Sequence, residues 1–285
     1  MRTVLLALVV GAGAAHAAVR EQGMWLVASL PDDRGRILSR SFFVSVHVDD
    51  RTRGPRPLAV LLHGRPADEK SRVTLGRARF TAAVNYLTRM GYVVAVPTRV
   101  GYGVSTGPDL EASGSCTQRN FAPGFDAAAK QTEVVIQTLR RRPDVSATGT
   151  VLIGHSYGGV VALATAARLP QGVRAVVNVS GGAGGDPQRR PQQPCSVQEL
   201  AQQMRQFGRN NPVPSVWIYA ENDQFFGATT PRMWFDAYRQ AGGKAQFINV
   251  GRRGTDGHTL FTHFTGVWQK EAAPWLRLAP STGRR

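Results

Sequence analysis

A serine inside a Gly-x-Ser-x-Gly pentapeptide is the residue whose setting points most clearly to chemistry. Residues 154–158 read Gly-His-Ser-Tyr-Gly, after the apolar run 150–153 and before an apolar helical pattern. A junction of strand, sharp turn and helix holds such a serine in a strained conformation that exposes its hydroxyl. The two glycines remove side chains that would collide where strand and helix meet. Ser156 is therefore the predicted nucleophile.

A serine nucleophile needs a histidine base that is itself oriented by a carboxylate. On a turn of this kind the partners follow in the order serine, acid, histidine. Two histidines follow Ser156: His258 in the polar loop 254–258, and His263 at the predicted start of the closing helix. Because such sheets place their chemistry at the carboxyl ends of the strands, His258 is the predicted base.

Six carboxylates lie between this serine and this histidine, and two of them stand at the end of the strong predicted strand 216–220. These two are Glu221 and Asp223. Asp223 is the predicted acid because it lies within the turn, where a side chain can point inward. Glu221 is the reserve acid, and Asp256 is expected to form hydrogen bonds within its loop.

The negative charge that develops during attack on a carbonyl needs backbone N–H donors beside the serine. The amide of Tyr157, the residue after the nucleophile, is the first predicted donor, and the second comes from the loop after an early buried strand. That loop reads His-Gly-Arg-Pro at 63–66. Gly64 permits a close approach and Pro66 has no N–H. The amide of Arg65 is therefore the second predicted donor.

Short β-rich runs alternate with helical patterns along the chain, which predicts parallel βαβ units in a doubly wound sheet. The predicted strands are 42–48, 58–62, 92–96, 150–153, 173–179, 216–220 and 246–250. The predicted helices are 76–90, 124–142, 157–169, 231–241 and 268–278. No repeat or linker interrupts the pattern, so 18–285 is predicted to be a single domain. Its least regular part is the Gly/Pro-rich loop 181–195.

The first 17 residues have the parts of an export signal: an early Arg2, the apolar run 4–10, and Ala-His-Ala at 15–17. The run is too short to span a bilayer, which takes about 20 residues. The sequence thus predicts a periplasmic or secreted protein without stable membrane insertion. In an oxidising compartment Cys116 and Cys195 are a candidate disulfide pair, and in a reducing one they would be two buried thiols.

The formal net charge of +16 could attract nucleic acid, an anionic envelope or an acidic substrate. The basic residues are scattered and show no aromatic-interleaved motif, so nucleic acid is not an expected partner. An anionic substrate remains a hypothesis. The sequence contains no CxxC, HExxH or other close metal-ligand spacing, so no metal site is predicted.

Four segments taken together resemble the dienelactone-hydrolase-like branch of the α/β-hydrolase superfamily. They are 62–64, 154–159, 219–223 and 256–258, in that order within about 42–276. The resemblance implies an α/β fold with a mostly parallel central sheet of about eight strands flanked by helices. It also implies Ser156, Asp223 and His258 as a triad that cleaves a small carboxylic ester through an acyl-enzyme, without metal or cofactor. Dienelactone hydrolases proper use a cysteine nucleophile, so dienelactone itself is not the expected substrate.

Two other functions remain open on the same scaffold. A serine peptidase of the prolyl-oligopeptidase type would use identical catalytic parts, although the sequence shows no β-propeller or other gating domain. A catalytically silent binding protein is the alternative outside enzymes, and the intact candidate triad argues against it. The layout also implies that Cys116 and Cys195 lie in loops at the catalytic edge. Side chains expected at the pocket rim are Arg99, Tyr102, Phe225, Phe226 and Trp234.

Overall fold

Strands and helices alternate through the part of the chain that the computed structural model describes, residues 19–31, 35–51, 53–209 and 211–277. The strands are β1 (Val19–Pro31), β2 (Ile37–Asp49), β3 (Leu58–Leu62), β4 (Val93–Thr98), β5 (Thr150–His155), β6 (Val173–Val179), β7 (Ser215–Tyr219) and β8 (Ala245–Asn249). The helices are α1 (Glu69–Val73), α2 (Thr81–Arg89), α3 (Ala122–Leu139), α4 (Tyr157–Arg168), α5 (Val197–Arg209), α6 (Thr230–Gln240), α7 (Leu260–His263) and α8 (Thr265–Leu276). The predicted signal peptide, residues 1–17, lies outside the described residues.

The eight strands of the described ranges form one sheet in the order β1-β2-β4-β3-β5-β6-β7-β8. The β1–β2 and β2–β4 pairs are antiparallel, and the five other pairs are parallel. The predicted mostly parallel sheet of about eight strands is therefore confirmed. Chain order reverses at β3, which lies between β4 and β5. In open α/β sheets, ligands bind beyond the carboxyl ends of the strands at such a switch point.

Helices cover both faces of the sheet: α3, α4, α5 and α6 pack on one face, and α2 and α8 on the other. β3 shows why the central strands are continuous apolar runs in the sequence. Its residues 58, 60 and 62 belong to the first core cluster, and residues 59 and 61 belong to the second. Every residue of this strand is buried. Such a strand carries apolar side chains on both faces, as the sequence predicted.

Strand β1 has no counterpart in the sequence-based prediction. It pairs with β2 along its whole length. Leu26, Ala28 and Leu30 face the core, whereas Trp25 and Val27 on the opposite face are more than half exposed. Because apolar residues occupy both faces, the alternation that would reveal a half-buried strand is hidden.

Helix α5 was also missed, because it is rich in Gln and Arg and buries only a narrow stripe that includes Leu200 and Met204. The predicted helix over 76–90 begins later, at Thr81, and Gly76, its predicted first residue, has a left-handed φ of 68° that is incompatible with a helix. Strand β4 continues through Pro97, beyond its predicted end. Within the described ranges, no helix combines the length and apolar character needed to cross a membrane.

A disulfide joins Cys116 to Cys195, which lie 79 residues apart in the chain. It connects the long segment between β4 and α3 to the Gly/Pro-rich loop that precedes α5. The hydroxyl of Ser196 donates to the carbonyl of Cys116 at 2.9 Å and reinforces this junction. Two segments without regular structure are thereby held together.

Removal of this bridge is expected to lower stability, because it releases a long loop in the unfolded chain. For Cys116→Ala with Cys195→Ala we expect a loss of about 2–5 kcal/mol in the free energy of unfolding. Urea denaturation of the variant and the parent, each with and without dithiothreitol, measures the loss. Dithiothreitol should affect only the parent, and equal midpoints for the two proteins would contradict the prediction.

Candidate active site

The turn that carries Ser156 has the backbone strain expected of an exposed nucleophile. Ser156 lies between β5 and α4 with φ 55° and ψ −126°, a conformation that a non-glycine residue rarely adopts. A β-carbon at Gly154 would collide with the carbonyl oxygen of Gly158, and one at Gly158 would collide with that of Leu62. Both glycines are therefore required by backbone contact, in agreement with the sequence analysis.

The structure brings together the three residues predicted to carry the chemistry. Nε2 of His258 lies 3.0 Å from Oγ of Ser156. Nδ1 of the same ring lies 3.0 and 3.1 Å from the two carboxylate oxygens of Asp223. A carboxylate can only accept, so Nδ1 carries the proton and Nε2 is free to accept from the serine hydroxyl. This arrangement can take a proton from Ser156 and return it.

Backbone amides orient the carboxylate of Asp223, whose side chain is fully buried. The N–H groups of Phe225 and Phe226 donate to its Oδ1 at 2.8 and 3.0 Å. The turn after β7 therefore supplies the partners that a buried charge needs. The reserve acid, Glu221, is exposed and accepts a hydrogen bond from Asn249 at 3.2 Å, without contact to His258.

Asp256 ties the loop of the histidine to the turn of the acid. Its Oδ1 accepts from the backbone N–H of His258 at 2.8 Å and from that of Gln224 at 3.0 Å. The imidazole stacks on Phe225 with ring centres 4.0 Å apart and meets Phe226 edge-on at 5.1 Å. The predicted hydrogen-bonding role of Asp256 is thus present, and packing holds the imidazole on two sides.

His155 has a supporting role that the sequence analysis missed, because it considered only histidines after the serine as bases. Its Nε2 donates to the carbonyl of His258 at 2.9 Å, and its ring stacks on Phe261 at 5.6 Å. Burial lowers the pKa of His155 to about 3, so the ring is neutral at ordinary pH. The signal available in the sequence was its position directly before Ser156.

A pocket of about 110 Å³ opens beside Ser156. Arg65 and Tyr157, whose amides are the predicted oxyanion donors, both line it. A β-carbon at Gly64 would lie 3.0 Å from Cβ of Ser156, so the loop after β3 directly adjoins the serine. The first turn of α4 leaves the N–H of Tyr157 without an intrahelical acceptor.

The prediction of the side chains at the pocket rim is partly wrong. Phe225 and Phe226 line the pocket, but Arg99, Tyr102 and Trp234 do not, and each is at most 1% exposed. The sequence placed these residues near the right loops without showing that their side chains point into the core. Among the described residues, no group of three or more His, Cys, Asp or Glu side chains could hold a metal ion.

The neutral state of His155 predicts an acid-dependent loss of stability. Between pH about 6.5 and about 3 the unfolded chain binds a proton at this ring that the folded protein does not bind. The free energy of unfolding should therefore fall as pH decreases through this window, by up to about 1.4 kcal/mol per pH unit from this residue. His155→Gln, which keeps an N–H donor, should flatten the slope in urea titrations.

His263→Gln is the matched control, because His263 is exposed and its replacement should leave the slope unchanged. An equally steep slope in parent and His155→Gln would show that His155 does not cause it.

Comparison with known proteins identifies the family. A model of the alpha/beta hydrolase family matches residues 59–282, whereas no curated protein matches the chain. Among solved structures, the chain is similar to an esterase from Pyrococcus furiosus, with 12% identity, a TM-score of 0.60 and 90% of each chain covered. It is also similar to a dienelactone hydrolase-like promiscuous phosphotriesterase from metagenomic libraries, with 12% identity, a TM-score of 0.53, and 88% of this chain and 98% of that chain covered.

An acylaminoacyl peptidase from Pyrococcus horikoshii has 12% identity and a TM-score of 0.62, with 92% of this chain but 43% of that chain covered. Structural similarity at these identities shows the fold alone. The family match extends over more than half of the sequence and agrees with the resemblance carried by the motifs. The chain belongs to the alpha/beta hydrolase family.

Proposed function

We propose that this protein is a serine hydrolase that cleaves small carboxylic esters. The observation that carries the proposal is the continuous hydrogen-bonded line from Ser156 through His258 to Asp223, with contacts of 3.0–3.1 Å. These three residues come from three separate loops at the carboxyl edge of the sheet. A hydroxyl on a strained turn, an imidazole and a buried carboxylate in this geometry are suited to acyl transfer.

In the first stage, Oγ of Ser156 attacks the ester carbonyl as its proton passes to Nε2 of His258. The imidazolium that forms is stabilised by Asp223. The amides of Tyr157 and Arg65 donate to the tetrahedral oxyanion. The bond between the carbonyl carbon and the alcohol oxygen then breaks, and the proton on Nε2 moves to the departing alcohol. The acyl group remains on Ser156 as an ester.

In the second stage, water replaces the alcohol and the route is reversed. His258 takes a proton from the water, whose oxygen attacks the acyl carbon. Collapse of the second tetrahedral intermediate breaks the bond to Oγ, which regains its proton from Nε2. A carboxylic acid leaves and the starting state is restored.

The size of the pocket favours a small acyl group. Its volume of about 110 Å³ is below the roughly 300–1,000 Å³ of sites that hold drug-sized ligands.

The same three residues could also cleave an amide, which is the activity named for the peptidase of similar fold. A comparison of nitrophenyl esters with peptide anilides separates these two substrates. If neither substrate is hydrolysed, the binding-protein alternative is favoured.

Loss of the serine or the acid is expected to abolish most of the turnover of 4-nitrophenyl acetate. Ser156→Ala should lower kcat by about a millionfold and Asp223→Asn by about ten-thousandfold, because the second change leaves the imidazole in the wrong tautomer. Glu221→Gln, a matched change at the exposed neighbouring acid, should keep the parent rate. Labelling by a fluorophosphonate that persists in Ser156→Ala would refute the role of Ser156.

One charged side chain in the pocket indicates which esters fit best. Among the described residues, Arg119 has no carboxylate within ion-pair distance; its Nη1 donates to the hydroxyl of Ser113 at 2.9 Å, and its buried Nε has no partner. Burial, with the charges of Arg190 and Arg65, lowers the pKa of the Arg119 guanidinium. A cation in the site without a direct carboxylate partner favours an anionic group on the substrate.

We therefore expect a preference for acyl chains that end in a carboxylate. The ratio of kcat/KM for 4-nitrophenyl hemisuccinate over 4-nitrophenyl butyrate should fall about tenfold or more in Arg119→Gln. This is the expected effect of losing one charge-assisted hydrogen bond to the substrate carboxylate. Arg189→Gln removes the same charge from a side chain that is 86% exposed and should preserve the ratio. Equal ratios in the parent and Arg119→Gln would exclude this role.

We also propose export to an oxidising compartment. The disulfide between Cys116 and Cys195 supports it, because such bridges persist mainly outside the reducing cytosol.

A further inference from the structure

A buried ion pair at the pocket has no role in the chemical steps described above: Glu111 lines the pocket, and Arg99 lies behind it. The side chains of Arg99 and Glu111 are 0% and 2% exposed. Nε of Arg99 donates to one carboxylate oxygen, and Nη2 donates to the other at 3.3 Å. The hydroxyl of Tyr102 donates to the same carboxylate. Apolar residues of similar size often stabilise a fold as well as a buried pair does, so stability alone is a weak reason for these charges.

The remaining donors of this guanidinium hold the loop after β3. Nη1 of Arg99 donates to the carbonyl of His63 at 2.7 Å, and Nη2 lies 3.4 Å from the carbonyl of Gly64. The backbone N–H of Arg99 donates to Nε2 of His63 at 3.2 Å. Burial, with the charge of Arg99, lowers the pKa of His63 well below its ordinary value, so the ring is neutral. Its proton is therefore on Nδ1, which donates to the carbonyl of Gly64 at 2.8 Å.

These contacts determine the orientation of the peptide group between Gly64 and Arg65. In a planar trans peptide the C=O and the N–H point in opposite directions. The carbonyl of Gly64 points toward His63 and Arg99, so the N–H of Arg65 points away from them. No described residue accepts a hydrogen bond from this N–H. Arg65 and Ser156 line the same pocket, into which this amide can donate.

We propose that Arg99, held in place by Glu111, is a positioning residue that aims the Arg65 amide at the oxyanion. The inference rests on the proposed ester hydrolysis, since it concerns a donor for that reaction. Arg99 does not touch the substrate and acts through the two carbonyls that it binds. The guanidinium of Arg65 pairs with Asp109 at 2.6 and 2.7 Å and also lies 3.9 Å from the carboxylate of Glu111.

The test is Arg99→Lys, measured with 4-nitrophenyl acetate and an aliphatic trifluoromethyl ketone. Lysine keeps the charge opposite Glu111 but cannot reach that carboxylate and both carbonyls at once. We expect kcat to fall about ten- to a hundredfold, part of the roughly 100- to 1,000-fold lost with an oxyanion donor. KM should stay within about a factor of three, because ground-state binding is little changed. Affinity for the ketone, whose adduct with Ser156 is tetrahedral, should weaken as kcat does.

A second variant separates a loss of activity from a loss of folding. Arg99→Met combined with Glu111→Leu removes both charges and leaves no unpaired carboxylate in the core. The carbonyl of His63 loses its donor, so the free energy of unfolding should fall by about 1–3 kcal/mol while the variant still folds. Its kcat and its ketone affinity should still fall together. A merely structural pair would not produce this joint loss in a folded protein.

Arg56→Lys is the matched control at the opposite end of β3. The Arg56 guanidinium is also buried, donates to the carbonyl of Asp49 at 2.9 Å and lies 3.7 Å from the carboxylate of Asp144. This change should lower stability and leave kcat and ketone affinity unaltered.

Failure of the positioning role can be distinguished from failure of the proposed function. An active parent whose Arg99→Lys variant keeps its kcat, or loses kcat without losing ketone affinity, overturns the positioning role and leaves the proposed function intact. A parent that turns over no ester overturns the proposed function and the positioning role together.

Discussion

Helix α4 approaches the end of β3 so closely that only backbone fits between them, and the geometry of the site depends on this approach. A β-carbon at Gly158 would collide with the carbonyl oxygens of Leu62 and His63. The turn carrying Ser156 therefore lies directly against the loop that contains Gly64. Two segments distant in sequence thus supply a nucleophile and an adjacent set of amides. A larger side chain at Gly158 would separate them.

The loops around this contact are held by hydrogen bonds to one another. Asp256 binds the backbone of both the histidine loop and the acid turn, and His155 binds the carbonyl of His258. The buried carboxylate of Asp223 is surrounded by donors. Burial makes an unsatisfied polar group costly, so these bonds favour one arrangement of the loops. A site built on connecting segments can therefore be as ordered as one built on strands.

The distribution of charge is more informative here than its total. Although the net charge is +16, two arginines near the pocket are neutralised locally, Arg65 by Asp109 and Arg99 by Glu111. Arg119 is left without a carboxylate within ion-pair distance among the described residues, and it faces the pocket. Net charge alone could not distinguish a cation that is paired for structure from one that is available to a ligand.

From the sequence we could infer the alternation of strands and helices, the strained serine turn and the order of the candidate residues along the chain. These features are local: hydrophobic periodicity reports burial, and glycine spacing reports backbone contact. Strand β1 and helix α5 were not predicted, because the burial of their apolar residues depends on the surfaces of other elements that they cover.

The folded structure was needed to establish that Asp223 rather than Glu221 contacts His258, and that Arg99 is buried behind the pocket instead of lining it. The folded structure also shows that His155 supports the loop of His258, which is distant in the sequence. The direction of a side chain at a strand end depends on which distant groups offer it hydrogen bonds or exclude it from water. That information is absent from the residues on either side of it.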